Sequence, residues 1–313
     1  MEQRNVGTSG LRVSAVGLGC NNFGWTIDAD ASRAVVHKAL DLGVTLFDTA
    51  DYYGDPPGNS ESVLGALIEG ERDRIVLTTK FGVPLVGDRR PNNSRHYILK
   101  AVEASLRRLR TDWIDIYMIH WPDASTPMEE TLRALGDLVR SGKVRYIACS
   151  NLAPWRMVEA RWIAREIGTD AFIAAQNEYN LLHRDAERDL VPALQACGMG
   201  LIPYYPLASG LLTGKYLSDN ATGRLQSNFL KLGDRLLTPA NIERVRRLDA
   251  FAREHGRSML ELAMGWIAAR PLVASVIAGA TRPDQIESNV AAIGWQLSPE
   301  QCAEIDRRLE EVK

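Results

Sequence analysis

Short runs of β-branched and apolar residues alternate along this chain with longer stretches in which apolar side chains recur every three or four positions. Residues 13–18 and 44–47 are of the first kind. Between them, residues 30–42 are of the second: Ala31, Ala34, Val35, Ala39 and Leu42 fall on one helical face, while Arg33, His37, Lys38 and Asp41 do not. Gly43 stands where a glycine ending a helix belongs. The unit then repeats. Helices are predicted over 61–68, 95–109, 127–141, 154–167 and 187–197, and strands over 75–79, 114–119, 144–149, 172–175 and 200–204. Beyond a long connection, 206–238, follow helices over 239–255 and 260–269, a strand over 275–278, and helices over 283–291 and 299–309.

Alternation of this kind with no break in composition predicts an α/β fold: a single (β/α)8 TIM barrel occupying residues 1–313 as one domain. Residues 4–14, with Gly7, Ser9 and Gly10 at the bend, read as an N-terminal β-hairpin, and 299–309 as an extra C-terminal helix. The 206–238 connection is long and aperiodic, which marks it as functional. Trp113, Trp162 and Trp266 lie in periodic segments and read as core; Arg244, Arg246 and Arg247 read as a solvated helix face.

Composition narrows the function. The chain is 45% hydrophobic and 24% charged, and 37 basic residues against 39 acidic ones leave a net charge of -2, with no block of either sign. Nucleic acid and anionic membrane are poor partners for such a surface. No apolar run approaches the ~20 residues that cross a bilayer, and the first residues lead into no secretory signal, so a cytoplasmic protein is expected. Cys20, Cys149, Cys197 and Cys302 are widely separated and the five histidines are scattered, which predicts neither a disulfide framework nor a metal site.

The chemistry lies where strands stop. Residues 44–47 end at Asp48, with Tyr53 in the next loop; residues 75–79 end at Lys80, and 114–119 at His120. In a parallel barrel all four reach one face, the C-terminal mouth where active sites are built. Free tyrosine has a pKa of about 10; an ammonium at Lys80 is expected to lower it, and a carboxylate at Asp48 to keep that ammonium charged and placed. His120 can orient a carbonyl oxygen. Such a site polarises C=O and protonates its oxygen, so a hydride must come from elsewhere. Ser150 and Asn151 read either as ligand contacts or as the N-cap of the helix opening at Pro154. Trp25, Phe81 and Trp121 are candidates for the wall of an apolar substrate pocket, or ordinary packing. Gly17-Leu18-Gly19 lacks the third glycine of a dinucleotide fingerprint, and Gly210–Lys215 lacks the Ser/Thr of a phosphate loop.

The runs Gly43–Ala50 with Tyr53-Gly54, Thr79-Lys80, Ile119–Pro122, Ser150-Asn151, Gln176, Ile202–Lys215 and Gly279–Arg282 together resemble the aldo-keto reductase superfamily, in the branch that also includes potassium-channel β subunits. The resemblance implies an NADP(H)-dependent reductase acting on a small carbonyl substrate, with Tyr53 as general acid, Lys80 and Asp48 tuning it, and His120 orienting the substrate. It further implies that Ser150, Asn151 and Gln176 hold the nicotinamide amide while Tyr204 stacks on the ring. Tyr205, Pro206, Leu207, Ser209, Gly210 and Lys215 would follow the pyrophosphate, and Gly279, Thr281, Arg282, Gln285 and Asn289 the adenosine end. Arg282 ahead of a helix opening at Pro283 favours NADP over NAD. Ser288 stands where relatives commonly carry glutamate, and Tyr205 where serine is common. Two alternatives share the residues: a Schiff-base aldolase using Lys80, and a cofactor-binding, redox-sensing regulatory subunit, against which the short segment before Arg4 argues. Sugar-derived aldehydes, ketones and quinone-like carbonyls all fit as substrates, since rim loops 21–28, 81–93, 123–126 and 217–237 set that choice.

Overall fold

The computed structural model describes residues 1–83, 90–218, 221–226 and 231–310. Positions 84–89, 219–220 and 227–230 of the rim loops therefore lie outside the described residues. Strands β1 (Gln3–Asn5) and β2 (Arg12–Ser14) form the expected antiparallel hairpin, with Gln3 opposite Ser14. Eight parallel strands follow: β3 (Val16–Gly19), β4 (Leu46–Asp48), β5 (Val76–Phe81), β6 (Ile114–Ile119), β7 (Val144–Ser150), β8 (Ala174–Gln176), β9 (Gly200–Leu201) and β10 (Val276–Gly279). They pair in chain order, and β10 returns beside β3. Leu201 closes the ring: its N–H donates to the Leu272 carbonyl and its carbonyl accepts from Ala274. The single apolar run over 13–18 is thus two strands, hinged at Ala15 between hairpin and barrel.

The outer layer comprises α1 (Ala29–Asp41), α2 (Asn59–Leu67), α3 (Arg95–Leu109), α4 (Met128–Arg140), α5 (Pro154–Glu166), α6 (Leu190–Cys197), α7 (Leu232–Leu236), α8 (Pro239–Glu254), α9 (Met259–Ala268), α10 (Pro283–Ala292) and α11 (Pro299–Glu310). Local chemistry sets their ends. Asp28 caps α1 by accepting from the Ala31 N–H, and Ser258 and Glu261 form a reciprocal capping box on α9. The long connection after β9 carries α7, a short helix that the sequence pattern does not signal.

Two apolar layers divide the core. The inner one joins Leu46, Ile116, Met118, Ala148, Ala174, Ile202, Ala274 and Ile277 with Val6 and Val13, so the hairpin seals the lower end of the barrel. The larger one fills the space between sheet and helices and includes Phe47, Phe81, Tyr117, Ile119 and Cys149. Side chains alternate along each strand, and the register carries a plain rule. Two residues beyond an inward Leu46, Met118, Ala148, Ala174 or Ile202 stands Asp48, His120, Ser150, Gln176 or Tyr204.

The tryptophans depart from expectation. Trp266 is fully buried. Trp162 is not core: it is 64% exposed on α5, as is Trp155 one heptad earlier. Trp113 is half-buried, its ring between the guanidiniums of Arg72 and Arg145 at 4.4 and 5.7 Å.

Candidate active site

Lys80 has no exposed surface, and its ammonium makes three hydrogen bonds: to Asp48 Oδ2 at 2.7 Å, to the Thr49 carbonyl at 2.8 Å and to Tyr53 Oη at 3.4 Å. The Tyr53 ring meets the His120 imidazole edge-on, centroids 5.5 Å apart. Tyr53 is placed by the turn that carries it. Its carbonyl accepts from both Gly58 and Ser60 N–H groups, and Gly54, at φ +98°, passes so close that a Cβ there would meet Ser60 N at 2.5 Å. His120 is fixed by its own N–H, which donates to the Phe81 carbonyl at 2.7 Å, and by Asn151, whose amide donates to the His120 carbonyl at 3.1 Å. All four residues expected from the strand ends therefore meet.

The electrostatics differ from expectation at Tyr53. Burial raises the phenol's pKa, and although Lys80 pulls it down, burial wins and the net shift is upward. Lys80 behaves conversely: burial disfavours its charge, but Asp48 and Tyr53 together hold it above an ordinary lysine. His120 is held well below its usual value, first by burial and then by the Lys80 charge, so it is neutral around pH 7. Its Nδ1 is buried without a partner among the described residues.

Around this group lies a line of polar residues suited to a nicotinamide cofactor. Ser150 Oγ donates to the Gln176 carbonyl at 2.8 Å, Asn151 Nδ2 donates to Ser150 Oγ at 3.0 Å, and Tyr204 donates to Asn151 Oδ1 at 2.9 Å. Asn151 sits at φ +58°, a conformation asparagine tolerates well. Helix α5 has Ala153 at its N-cap with no side-chain bond, so Ser150 and Asn151 are not its cap. Further along, Tyr205, Ala208, Ser209 and Gly210 all take positive φ, a winding path that leaves Ser209 Oγ buried and unpartnered among the described residues. Pro206 and Leu207 lie on that path, and Lys215 ends it at the surface. Gly279 closes β10 where a Cβ would meet Asn22 Nδ2 at 3.2 Å. Past it, Gln285 accepts from the Thr281 N–H and hydroxyl at 2.7 and 3.1 Å, Asn289 is buried on α10, and Arg282 is the α10 N-cap residue. These orphaned polar atoms and open backbone turns fit an extended dinucleotide. Arg282 is, however, paired with Asp284 at 3.1 Å, both exposed.

Three aromatic residues were expected at the rim. Trp25 and Trp121 are there, 43% and 45% exposed. Phe81 is not: it is fully buried, with its ring 4.7 Å from that of Tyr117 in the layer under the helices. Lys80 points into the barrel, so its neighbour must point out.

Sequence reading missed the buried support behind Lys80. Glu61, completely buried on α2, accepts from Thr79 Oγ1 at 2.6 Å and from Arg108 Nε at 2.7 Å. Asp51 lies nearby, its N–H donating to the Lys80 carbonyl and its carboxyl pushed well up, first by burial and then by Glu61. The one available signal was a glutamate on the inward face of a short helix.

No cluster of residues that could hold a metal occurs among the described residues, nor any helix long and apolar enough to cross a membrane. In comparison with known proteins, the chain is 38% identical to L-glyceraldehyde 3-phosphate reductase of Escherichia coli, over 99% of this chain and 92% of that protein. It is equally 38% identical to a putative voltage-gated potassium channel subunit beta of Schizosaccharomyces pombe, over 98% and 92%. Versiconal hemiacetal acetate reductase of Aspergillus parasiticus is 35% identical over 96% and 95%. The family model described as Aldo/keto reductase family matches residues 15–310, and on that match and these near full-length relatives the chain belongs to the aldo/keto reductase family.

Proposed function

We propose that this protein reduces an aldehyde or ketone to an alcohol, taking hydride from NADPH and the proton from Tyr53. The observation that carries this reading is the hydrogen-bonded line from Asp48 through Lys80 to Tyr53, with neutral His120 against the phenol. The nicotinamide supplies hydride when bound; everything else falls to the chain. His120 donates from its pocket-facing nitrogen to the carbonyl oxygen and orients it. Tyr53 protonates that oxygen as negative charge builds, and Lys80 stabilises the phenolate left behind. Asp48 keeps Lys80 charged throughout.

Ser150, Asn151 and Gln176 would hold the nicotinamide amide and Tyr204 would pack on its ring. Tyr205, Pro206, Leu207, Ser209, Gly210 and Lys215 would follow the pyrophosphate; Gly279, Thr281, Arg282, Gln285 and Asn289 would follow the adenosine. A 2′-phosphate there would share Arg282 with Asp284. Trp25 and Trp121 offer apolar walls for the substrate, and the names of the reductase relatives favour an oxygenated carbonyl compound.

An aldolase reading is disfavoured because a Schiff base needs a neutral lysine amine, and Lys80 is held charged with its donors committed. The likeness to a channel β subunit supports a redox-sensing subunit as second reading. One assay separates them: NADPH oxidation is followed across aldehydes, ketones and keto-sugars, with protein fluorescence quenching reporting cofactor binding. Turnover with at least one carbonyl is expected. Tight binding without turnover on any of them would transfer the assignment to the sensor, and no binding of NADPH or NADH would end both.

A further inference from the structure

Gln176, at the end of β8, belongs to two hydrogen-bond systems at once. Its carbonyl accepts from Ser150 Oγ at 2.8 Å and from the Asn151 N–H at 3.3 Å, which fixes the residue within the proposed amide seat. Its side chain joins the second system: Nε2 donates to Asp48 Oδ1 at 3.0 Å. Lys80 uses the opposite oxygen, Oδ2, at 2.7 Å. Asp48 is thus clamped from both sides by buried partners, an ammonium on one oxygen and a carboxamide on the other. Among the described residues no other side chain reaches Oδ1.

We propose that Gln176 is a positioning residue that links the seat of the nicotinamide amide to the proton donor, by holding the far oxygen of Asp48 and so setting how much of the Lys80 charge reaches Tyr53. The inference rests on the reading of the site given above and extends the role of Gln176 from cofactor contact to the tuning of Tyr53. A carboxylate answered at both oxygens spreads its charge between two donors. With the amide donor removed, the whole carboxylate faces Lys80, screens the ammonium more completely, and leaves a Tyr53 phenolate less stabilised. The other groups that face this line are His120 from the end of β6, Cys20 from the end of β3, and Tyr204 and Tyr205 beyond β9. Asp51, Glu61 and Arg108 lie behind it. Among the described residues, none of these is hydrogen-bonded to the Gln176 side chain, whose Nε2 goes to Asp48.

The test reads Tyr53 directly in the protein without added cofactor. A fluorinated tyrosine at position 53 brings its ionisation into a range where the fold persists, and tyrosinate absorbance is titrated in the parent and in two variants. Gln176→Met keeps the volume and removes the donor; Gln176→Glu keeps the shape and sets a carboxyl against Asp48. Both are expected to move the ionisation of residue 53 to higher pH, by about half a unit or more, and both to weaken NADPH binding measured separately by fluorescence quenching. Weakened binding with an unmoved titration in a folded variant would show that Gln176 serves the amide alone, and would overturn the link. If Gln176→Met does not fold, the titration of Gln176→Leu, which also removes the donor without adding charge, decides. Failure of the parent protein to bind NADPH would sink the reductase reading while leaving this titration to settle the Asp48 contact.

Discussion

At the residue scale the site is a charge arrangement before it is a catalyst. Tyr53 combines a dissociable proton with a position between Lys80 and His120, so Tyr53→Phe should cut turnover by at least ~10²-fold, the scale for loss of a general acid. Cofactor affinity, read by fluorescence quenching, should stay within about twofold. Because burial leaves the phenol above its ordinary value, it stays protonated through neutral pH. Reduction rates should be flat there and fall only in the alkaline range, with alcohol oxidation rising instead. His120 gives a second pH effect. Its folded pKa lies well below the free value of about 6.5, so the unfolded chain binds more protons as pH drops below that value. Stability should therefore fall from near pH 6.5 downward. Replacing it by glutamine should flatten that part of a urea-midpoint profile against pH. Asp48, Lys80 and His120 were legible in the sequence because each ends a strand-like run, and Tyr53 because it stands in the loop just after one. Phe81 was misplaced because a strand end puts one residue inside and its neighbour outside, and only the register says which.

At the scale of elements, α2 holds the tyrosine turn against the sheet and carries Glu61 to Thr79 and Arg108. It lies so close to α3 that a Cβ on Gly65 would meet the Arg108 carbonyl at 2.4 Å and the Leu109 backbone at 2.6 Å. Backbone cannot yield as a flexible side chain does, so Gly65→Ala should cost about 1–3 kcal/mol, seen as a melting temperature lower by several degrees. Turnover should suffer too, since the shift passes through Glu61 to the strand that bears Lys80. The Glu61–Arg108 pair escaped sequence reading because ion pairing between helices 47 positions apart leaves no periodic trace. Trp162 misled for a different reason. On α5 the buried face is small, Met157, Ala160 and Ala164, while Trp155 and Trp162 form a second stripe with the same helical spacing pointing outward. Periodicity finds both stripes and does not rank them.

Across the whole molecule, the two ends of the barrel have separate duties. Val6 and Val13 of the hairpin are fully buried beneath Ile116 and Met118, far from the mouth. Val6→Asp would bury a carboxylate without a partner and should lower the urea midpoint sharply, by more than about 3 kcal/mol of stability. The folded fraction should keep its turnover per molecule. Strand order was readable because each βα unit repeats the same grammar. The rim loops were not, since loop shape follows from contacts that no local pattern encodes.

The register rule of the barrel has a consequence for how such a molecule can change. Asp48, His120, Ser150, Gln176 and Tyr204 each stand one inward step past a packed aliphatic residue, so the layer that stabilises the sheet and these polar groups share strands but not positions. Side chains at such positions can be exchanged, and new preferences acquired, without recutting the packing underneath.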